Sequence, residues 1–172
     1  MKNILLSILC SLFVLSMSAQ EEAAEKRHRI TFLLSHTWIS TVAPDGEGFG
    51  ALPSFGLNYD YWFSEKFAIG LHNDFIAENF VVERLDGEAD LERELPWAAV
   101  AVAIYKFENG LAPIIGGGVE IEPSESLPLL HVGLEYGKEF AEVWEVGLNV
   151  TYDFKWEAYN SYAFGLSIST KL

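Results

Sequence analysis

The stretch EVWEVGLNVTYDFKW, residues 142–156, constrains this chain more than any other. Trp144, Val146, Leu148, Val150, Tyr152, Phe154 and Trp156 fill every even position, and Glu145, Gly147, Asn149, Thr151, Asp153 and Lys155 sit between them. A period of two belongs to a β-strand, whose successive side chains point to opposite faces. This strand is apolar on one side, polar or charged on the other, and bounded by tryptophan at both extremes. From Trp144 to Trp156 it spans about 43 Å at 3.3 Å per residue. Tilted in a barrel wall it still covers roughly 33 Å, enough for a ~25 Å apolar band and two aromatic girdles. Strands of soluble proteins average about five or six residues.

The same period recurs along the chain. Ile30, Phe32, Leu34, His36 and Trp38 alternate with smaller or polar residues over 29–40, and Phe55, Leu57, Tyr59, Tyr61 and Phe63 do so over 54–63. A third strand starts at Phe67, with His72, Asp74 and Glu78 on its polar face. PWAAVAVAIYKF, residues 96–107, is apolar on both parities, and Trp97, Tyr105 and Phe107 select the odd face as outward. Strands over 111–121, 130–137, 144–156 and 161–172 complete a set of eight. SEK at 64–66, ENG at 108–110 and the segment 138–142 read as tight turns, whereas 41–51 and 82–95 read as longer polar loops.

Eight up-and-down strands make either a soluble lipocalin-like barrel, apolar inside, or a membrane barrel with the opposite polarity. Strand length and the charges on the less apolar face favour the second. The expected fold is all-β, an eight-stranded antiparallel up-and-down transmembrane β-barrel over residues 29–172. Its lumen is expected to hold a polar network of Asp60, His72, Asp74, Glu78, Lys106, Glu120, Glu135, Glu145, Asp153 and Lys155, with Arg29 also reading inward. The lipid-facing aromatic residues are expected to be Trp38, Tyr59, Tyr61, Phe63, Trp97, Tyr105, Phe107, Tyr136, Trp144, Tyr152, Phe154, Trp156, Tyr162 and Phe164.

Residues 1–19, MKNILLSILCSLFVLSMSA, carry Lys2, an apolar run from Ile4 to Leu15 and a small-residue end, the pattern of a secretory signal peptide. Residues 20–28 would form a short periplasmic lead. The one cysteine, Cys10, falls inside the signal, so the mature chain is expected to have neither a disulfide nor a thiolate metal site. A net charge of −14 excludes a sequence-independent grip on nucleic acid, which requires clustered Lys and Arg.

PSFGLNYDYWFSEKFAIGLHNDF, residues 53–75, and GLEYGKEFAEVWEVGLNVTYDFKW, residues 133–156, resemble the small outer-membrane β-barrel proteins of Gram-negative bacteria, of the OmpA and OmpX kind. The chain departs from them by ending on Leu172 rather than an aromatic residue. The resemblance implies a Gram-negative outer-membrane location, with both mature termini in the periplasm, long loops outside, and outer-membrane lipid and lipopolysaccharide as surroundings. A monomer is expected, and no cofactor is called for.

Two functions fit these residues. One is a structural or surface-interaction protein whose lumen is filled by its own side chains, with an unidentified partner at its external loops. The other is a small cation-preferring, porin-like pore, suggested by the excess of inward carboxylates. An enzyme fits less well. His72 with Asp74 lacks a nucleophile, His131 with Glu135 lacks a third metal ligand, and no metal site is expected. On the outer face His36 has Leu34 and Trp38 as neighbours, not the serine of the lipid A deacylase pattern. QEEAAEKRHR is too short and polar for the amphipathic helix that the palmitoyltransferase kind places before its first strand. ERLDGEADLERE, residues 83–94, has six acidic and two basic residues. It reads as a solvated loop or as a recruiter of divalent cations, without the fixed spacing of a calcium loop.

Overall fold

The computed structural model describes residues 27–43, 46–87 and 89–172. The expected signal peptide, 1–19, and most of the 20–28 lead lie outside the described residues. Ten strands follow in chain order: β1 (His28–Ala43), β2 (Gly46–Trp62), β3 (Phe67–Ile76), β4 (Phe80–Val82), β5 (Leu91–Arg93), β6 (Trp97–Tyr105), β7 (Leu111–Ile121), β8 (Leu127–Glu139), β9 (Trp144–Lys155) and β10 (Asn160–Lys171). Among the described residues eight of these close a barrel in the order β1-β10-β9-β8-β7-β6-β3-β2, and β4 pairs with β5 alone as a separate hairpin. Every barrel neighbour is antiparallel, and β1 closes on β10 from Arg29↔Lys171 to Ile39↔Ser161.

The polarity of the wall is that of a barrel in lipid. Outward residues such as Leu34 and Leu166 are 63% and 61% exposed, while Asp60 and Lys155 inside are 0% and 1% exposed. A soluble barrel would reverse that distribution, because an apolar belt around the whole circumference would face water. The odd face of β6 is the outward one, and its even residues Ala98, Val100, Val102 and Ile104 are buried. These pack with Ala68, Ala112, Ile114 and Leu129 into an apolar wall inside the barrel, against which Trp62 lies. That wall explains why the segment 96–107 is apolar on both parities.

The two ends of the barrel differ. At one end the chain turns tightly between β2 and β3, β6 and β7, and β8 and β9. Gly110 at φ 87° supplies the left-handed residue of the turn between β6 and β7. At the other end lie the β1–β2 ribbon, the β3-to-β6 connection, and the shorter links from β7 to β8 and β9 to β10. Two expected loops are corrected here. Over 41–43 and 46–51 the backbone is strand: β1 and β2 pair from His28↔Tyr61 to Ala43↔Gly46 and run as a two-stranded ribbon past the last β1–β10 pair. Gly46, Gly48 and Gly50 look like turn residues in sequence, yet strands that need only pair with each other tolerate them. The connection 82–95 is not simply a solvated loop, because β4 and β5 fold back over the barrel mouth.

Candidate functional site in the lumen

Charged residues fill the lumen from both ends, each end organised around one buried arginine. At the short-turn end Arg29, first inward residue of β1, is 2% exposed. Its Nε donates to Asp60 Oδ2 at 3.0 Å, and its Nη1 reaches Glu135 at 2.5 Å and Glu145 at 3.2 Å. Three carboxylates from β2, β8 and β9 thus converge on one guanidinium. Lys106 adds a 2.9 Å bond to the other oxygen of Glu145, and Trp62 lies with its ring centroid 5.3 Å from the Arg29 guanidinium carbon. Small neighbours make room for these carboxylates: a Cβ on Gly70 would strike Asp60, and one on Gly137 would strike Glu145. Outside this cluster a vestibule of about 400 Å³ opens between Arg27, Trp62, Glu65, Lys106 and Lys171.

Midway, two histidines each contact a carboxylate. His72 Nε2 lies 3.1 Å from Asp60 Oδ1, and His131 Nδ1 lies 2.6 Å from Asp153 Oδ1. The sequence pairing of His72 with Asp74, and of His131 with Glu135, is replaced by cross-strand pairs: His131 stands directly opposite Asp153, and His72 reaches Asp60 diagonally past Gly70, the residue opposite Asp60. Among the described residues the buried Nε2 of His131 has no hydrogen-bond partner, so no serine or threonine hydroxyl is seated on it. Asp74 and Asp153 line a chamber of about 20 Å³ with Thr37, Thr151 and Lys155. That is room for roughly one water.

The second arginine closes the long-connection end. Arg93, last residue of β5, is 0% exposed. Its Nε and Nη2 donate to Glu120 Oε1 at 3.0 and 2.7 Å, and its Nη1 to Glu122 Oε2 at 3.3 Å and the Glu125 carbonyl at 2.7 Å. Tyr159 donates to the same Glu120 oxygen at 2.6 Å, while Lys155 faces Glu120 Oε2 at 3.3 Å. Burial and then the Glu120 charge push the Tyr159 hydroxyl well above its usual range, so it remains a donor. The Ser124 hydroxyl, helped by the Ser124 and Glu125 amides, holds the Glu122 carboxyl below the ordinary carboxylate range. Under the hairpin Phe80, Val82 and Leu91 pack with Ile39, Leu52, Ile76, Leu127, Ala158 and Tyr159.

Around the outside two aromatic bands border the apolar belt. Phe67 meets Tyr105 and Tyr105 meets Phe107 at the short-turn end. Phe55, Phe75 and Trp97 stack in series toward the other end, where Phe154 meets Trp156 and Tyr152 meets Tyr162. Tyr59, Phe63, Tyr136, Trp144 and Phe164 are exposed on the same outer surface, while Trp38 and Tyr61 are half-buried.

No protein-family model and no curated protein matches the chain. Solved structures do. Neisserial surface protein A is 13% identical, with a TM-score of 0.56 over 88% of this chain and 100% of that one. The N-terminal β-barrel domain of Pseudomonas aeruginosa OprF is 11% identical, with a TM-score of 0.53 over 84% and 97%. Ail, the attachment invasion locus protein of Yersinia pestis, is 12% identical, with a TM-score of 0.52 over 85% and 99%. This is the fold of the small eight-stranded outer-membrane barrels.

Within that outer-membrane barrel fold, the residues expected in the lumen are placed unevenly. Asp60, His72, Glu120, Glu135, Glu145 and Lys155 are buried inside, Asp74, Asp153 and Lys106 are half-buried there, and Glu78 is not in the lumen. β3 ends at Ile76, Ala77 bonds its amide to the Pro53 carbonyl, and the chain then turns toward the hairpin, leaving Glu78 exposed. Arg93, Glu122 and Tyr159 belong to the site and were not among the expected lumen residues. Arg93 stands in a run of acidic residues, and only the flanking alternation Leu91, Arg93, Leu95 hints that the run contains a strand.

Proposed function

We propose that this protein resides in the outer membrane of a Gram-negative bacterium as a barrel with a self-filled lumen and a structural or surface-interaction role. The observation that carries this reading is the pair of buried arginine clusters, Arg29 at one end and Arg93 at the other, with a chamber of about 20 Å³ between them. A barrel of eight strands has an interior just wide enough for side chains, so ion-paired side chains suffice to close it. Residues 1–19 serve as the signal, the short turns and both mature termini face the periplasm, and the long connections face outward among lipopolysaccharide. A closed barrel has no unpaired strand edge, which supports a monomer. Among the described residues the two lumen histidines, His72 and His131, are each set against a carboxylate, which supports a non-enzymatic role.

One observation favours the pore as a second reading. Among the described lumen residues seven carboxylates, Asp60, Asp74, Glu120, Glu122, Glu135, Glu145 and Asp153, face four cations, Arg29, Arg93, Lys106 and Lys155. Were the lumen to open, its field would favour cations. The residency is tested by expressing the full chain in a Gram-negative host, fractionating the envelope and treating whole cells with protease. The expected result is an outer-membrane protein that migrates differently before and after boiling and is cut within 83–90 from outside. Recovery from the soluble periplasm without a mobility shift would overturn it.

A further inference from the structure

The β4–β5 hairpin covers the long-connection mouth without joining the barrel sheet. It pairs only with itself, over Phe80↔Arg93 to Val82↔Leu91. An isolated two-stranded hairpin is marginal in water; this one is held by its apolar underside, by Arg93, by the 2.9 Å Arg84–Glu125 ion pair and by the Leu85 amide on the Ala158 carbonyl. The Arg93 guanidinium is bound on all three nitrogens, by one carboxylate on the barrel wall, one carboxylate in the β7–β8 connection and one backbone carbonyl. These acceptors come from β7 and the segment after it, where the Glu125 side chain also takes Arg84 from the connection between β4 and β5. Ser124 and the Glu125 amide orient Glu122, while Tyr159 and Lys155 orient Glu120. The acceptors are spread over all three guanidinium nitrogens, which suits a guanidinium better than the compact point charge of an ammonium. Between β5 and β6, Leu95 has φ 46°, a left-handed conformation that strains a residue with a Cβ.

We propose that Glu120, Glu122, the Glu125 carbonyl and Tyr159 form a guanidinium-binding site that the chain fills with its own Arg93, and that an arginine side chain of an external polypeptide takes the site and releases the hairpin. The rim supports a basic partner, because Glu78, Glu83, Asp90, Glu92, Glu94 and Glu157 are all exposed around it. A basic polypeptide is steered to such a rim before it reaches the cage. This inference rests on the surface-interaction reading and names the partner chemistry for it. The tethered Arg93 acts at high effective concentration, so a free ligand competes with it poorly until the partner gains further contacts.

The test uses the full mature chain in detergent micelles, where orientation in a cell plays no part, so failure of the cage is distinguishable from failure of the surface reading. Ethylguanidinium binding to wild type, Arg93→Ala and Arg93→Ala with Glu120→Gln is followed by calorimetry, with ethylammonium as control and the boiling-dependent gel shift as the check of folding. Arg93→Ala should bind ethylguanidinium saturably, at least tenfold more tightly than wild type and than ethylammonium, and Glu120→Gln should abolish the gain. Should Arg93→Ala fail to fold, Arg93→Lys replaces it: ethylguanidinium should then increase protease cleavage within 83–90 at concentrations that leave the cleavage of wild type unchanged. A folded Arg93→Ala with no saturable binding, equal binding of the two probes, or an Arg93→Lys hairpin indifferent to ethylguanidinium would overturn the proposal.

Discussion

Arg29 and Arg93 are both buried, and each is bound by more than one acidic side chain, yet they stand on different parts of the molecule. Arg29 projects from β1, whose backbone is paired on both sides, with β2 and with β10. Arg93 projects from a three-residue strand that pairs with nothing in the barrel wall. Losing a partner from a buried ion pair costs most where the rest of the pair cannot move away into water. The carboxylates around Arg29 are fixed by three barrel strands, whereas the hairpin around Arg93 can lift and let water reach Glu122. The same side-chain chemistry thus serves as an internal tie at one end and as a latch at the other.

The strongest way to break this comparison is Arg29→Ala. It leaves Asp60, Glu135 and Glu145 buried around Lys106 and His72, and should lower stability by about 3–5 kcal/mol, read from urea unfolding in lipid vesicles. Gly137→Ala sharpens the same end, because the added methyl displaces Glu145. A loss of about 1–3 kcal/mol is expected, measured the same way. Arg93→Ala should change global unfolding less than Arg29→Ala, yet raise protease cleavage within 83–90 by an order of magnitude or more, since the effect is local. An equal global loss for both arginines would erase the distinction between tie and latch.

Acid provides a milder probe. Glu122 is held below the ordinary carboxylate range in the folded chain. Its contribution to closure is therefore complete above the pKa of an unfolded glutamate and is lost as pH falls through the lower folded value. Cleavage within 83–90 by an acid-active protease should accordingly rise as pH falls below the usual carboxylate range, and Ser124→Ala should move that rise to higher pH. The smallest effect belongs to the exposed pair Lys66 and Glu108, 3.1 Å apart at the short-turn rim. Lys66→Ala should shift stability by no more than about 0.5 kcal/mol.

Much of the barrel is legible in the sequence for a physical reason: lipid outside and charge inside force strict alternation, and Trp144 to Trp156 displays it without interruption. The inner carboxylates Asp60, Glu135 and Glu145 follow from that parity alone. Which partner each one meets does not, because cross-strand register sets it, and so His72 meets Asp60 rather than Asp74. Glu78 misleads because parity continues on paper past Ile76, where the strand has ended. Arg93 is hidden by its acidic neighbours, since a run of charges ordinarily marks a solvated segment and one residue folding inward changes little in composition. The ribbon over 41–43 and 46–51 is hidden by glycines that suggest a turn.

A lumen closed at both ends is tested most directly by single-channel recording of the folded mature chain in planar bilayers, in potassium chloride under a salt gradient. Wild type should insert and stay silent, and Lys106→Gln combined with Lys155→Gln should show cation-selective steps as Glu145 and Glu120 each lose one cationic partner. Resolved cation-selective steps from wild type would contradict the closed lumen and leave the pore reading in its place.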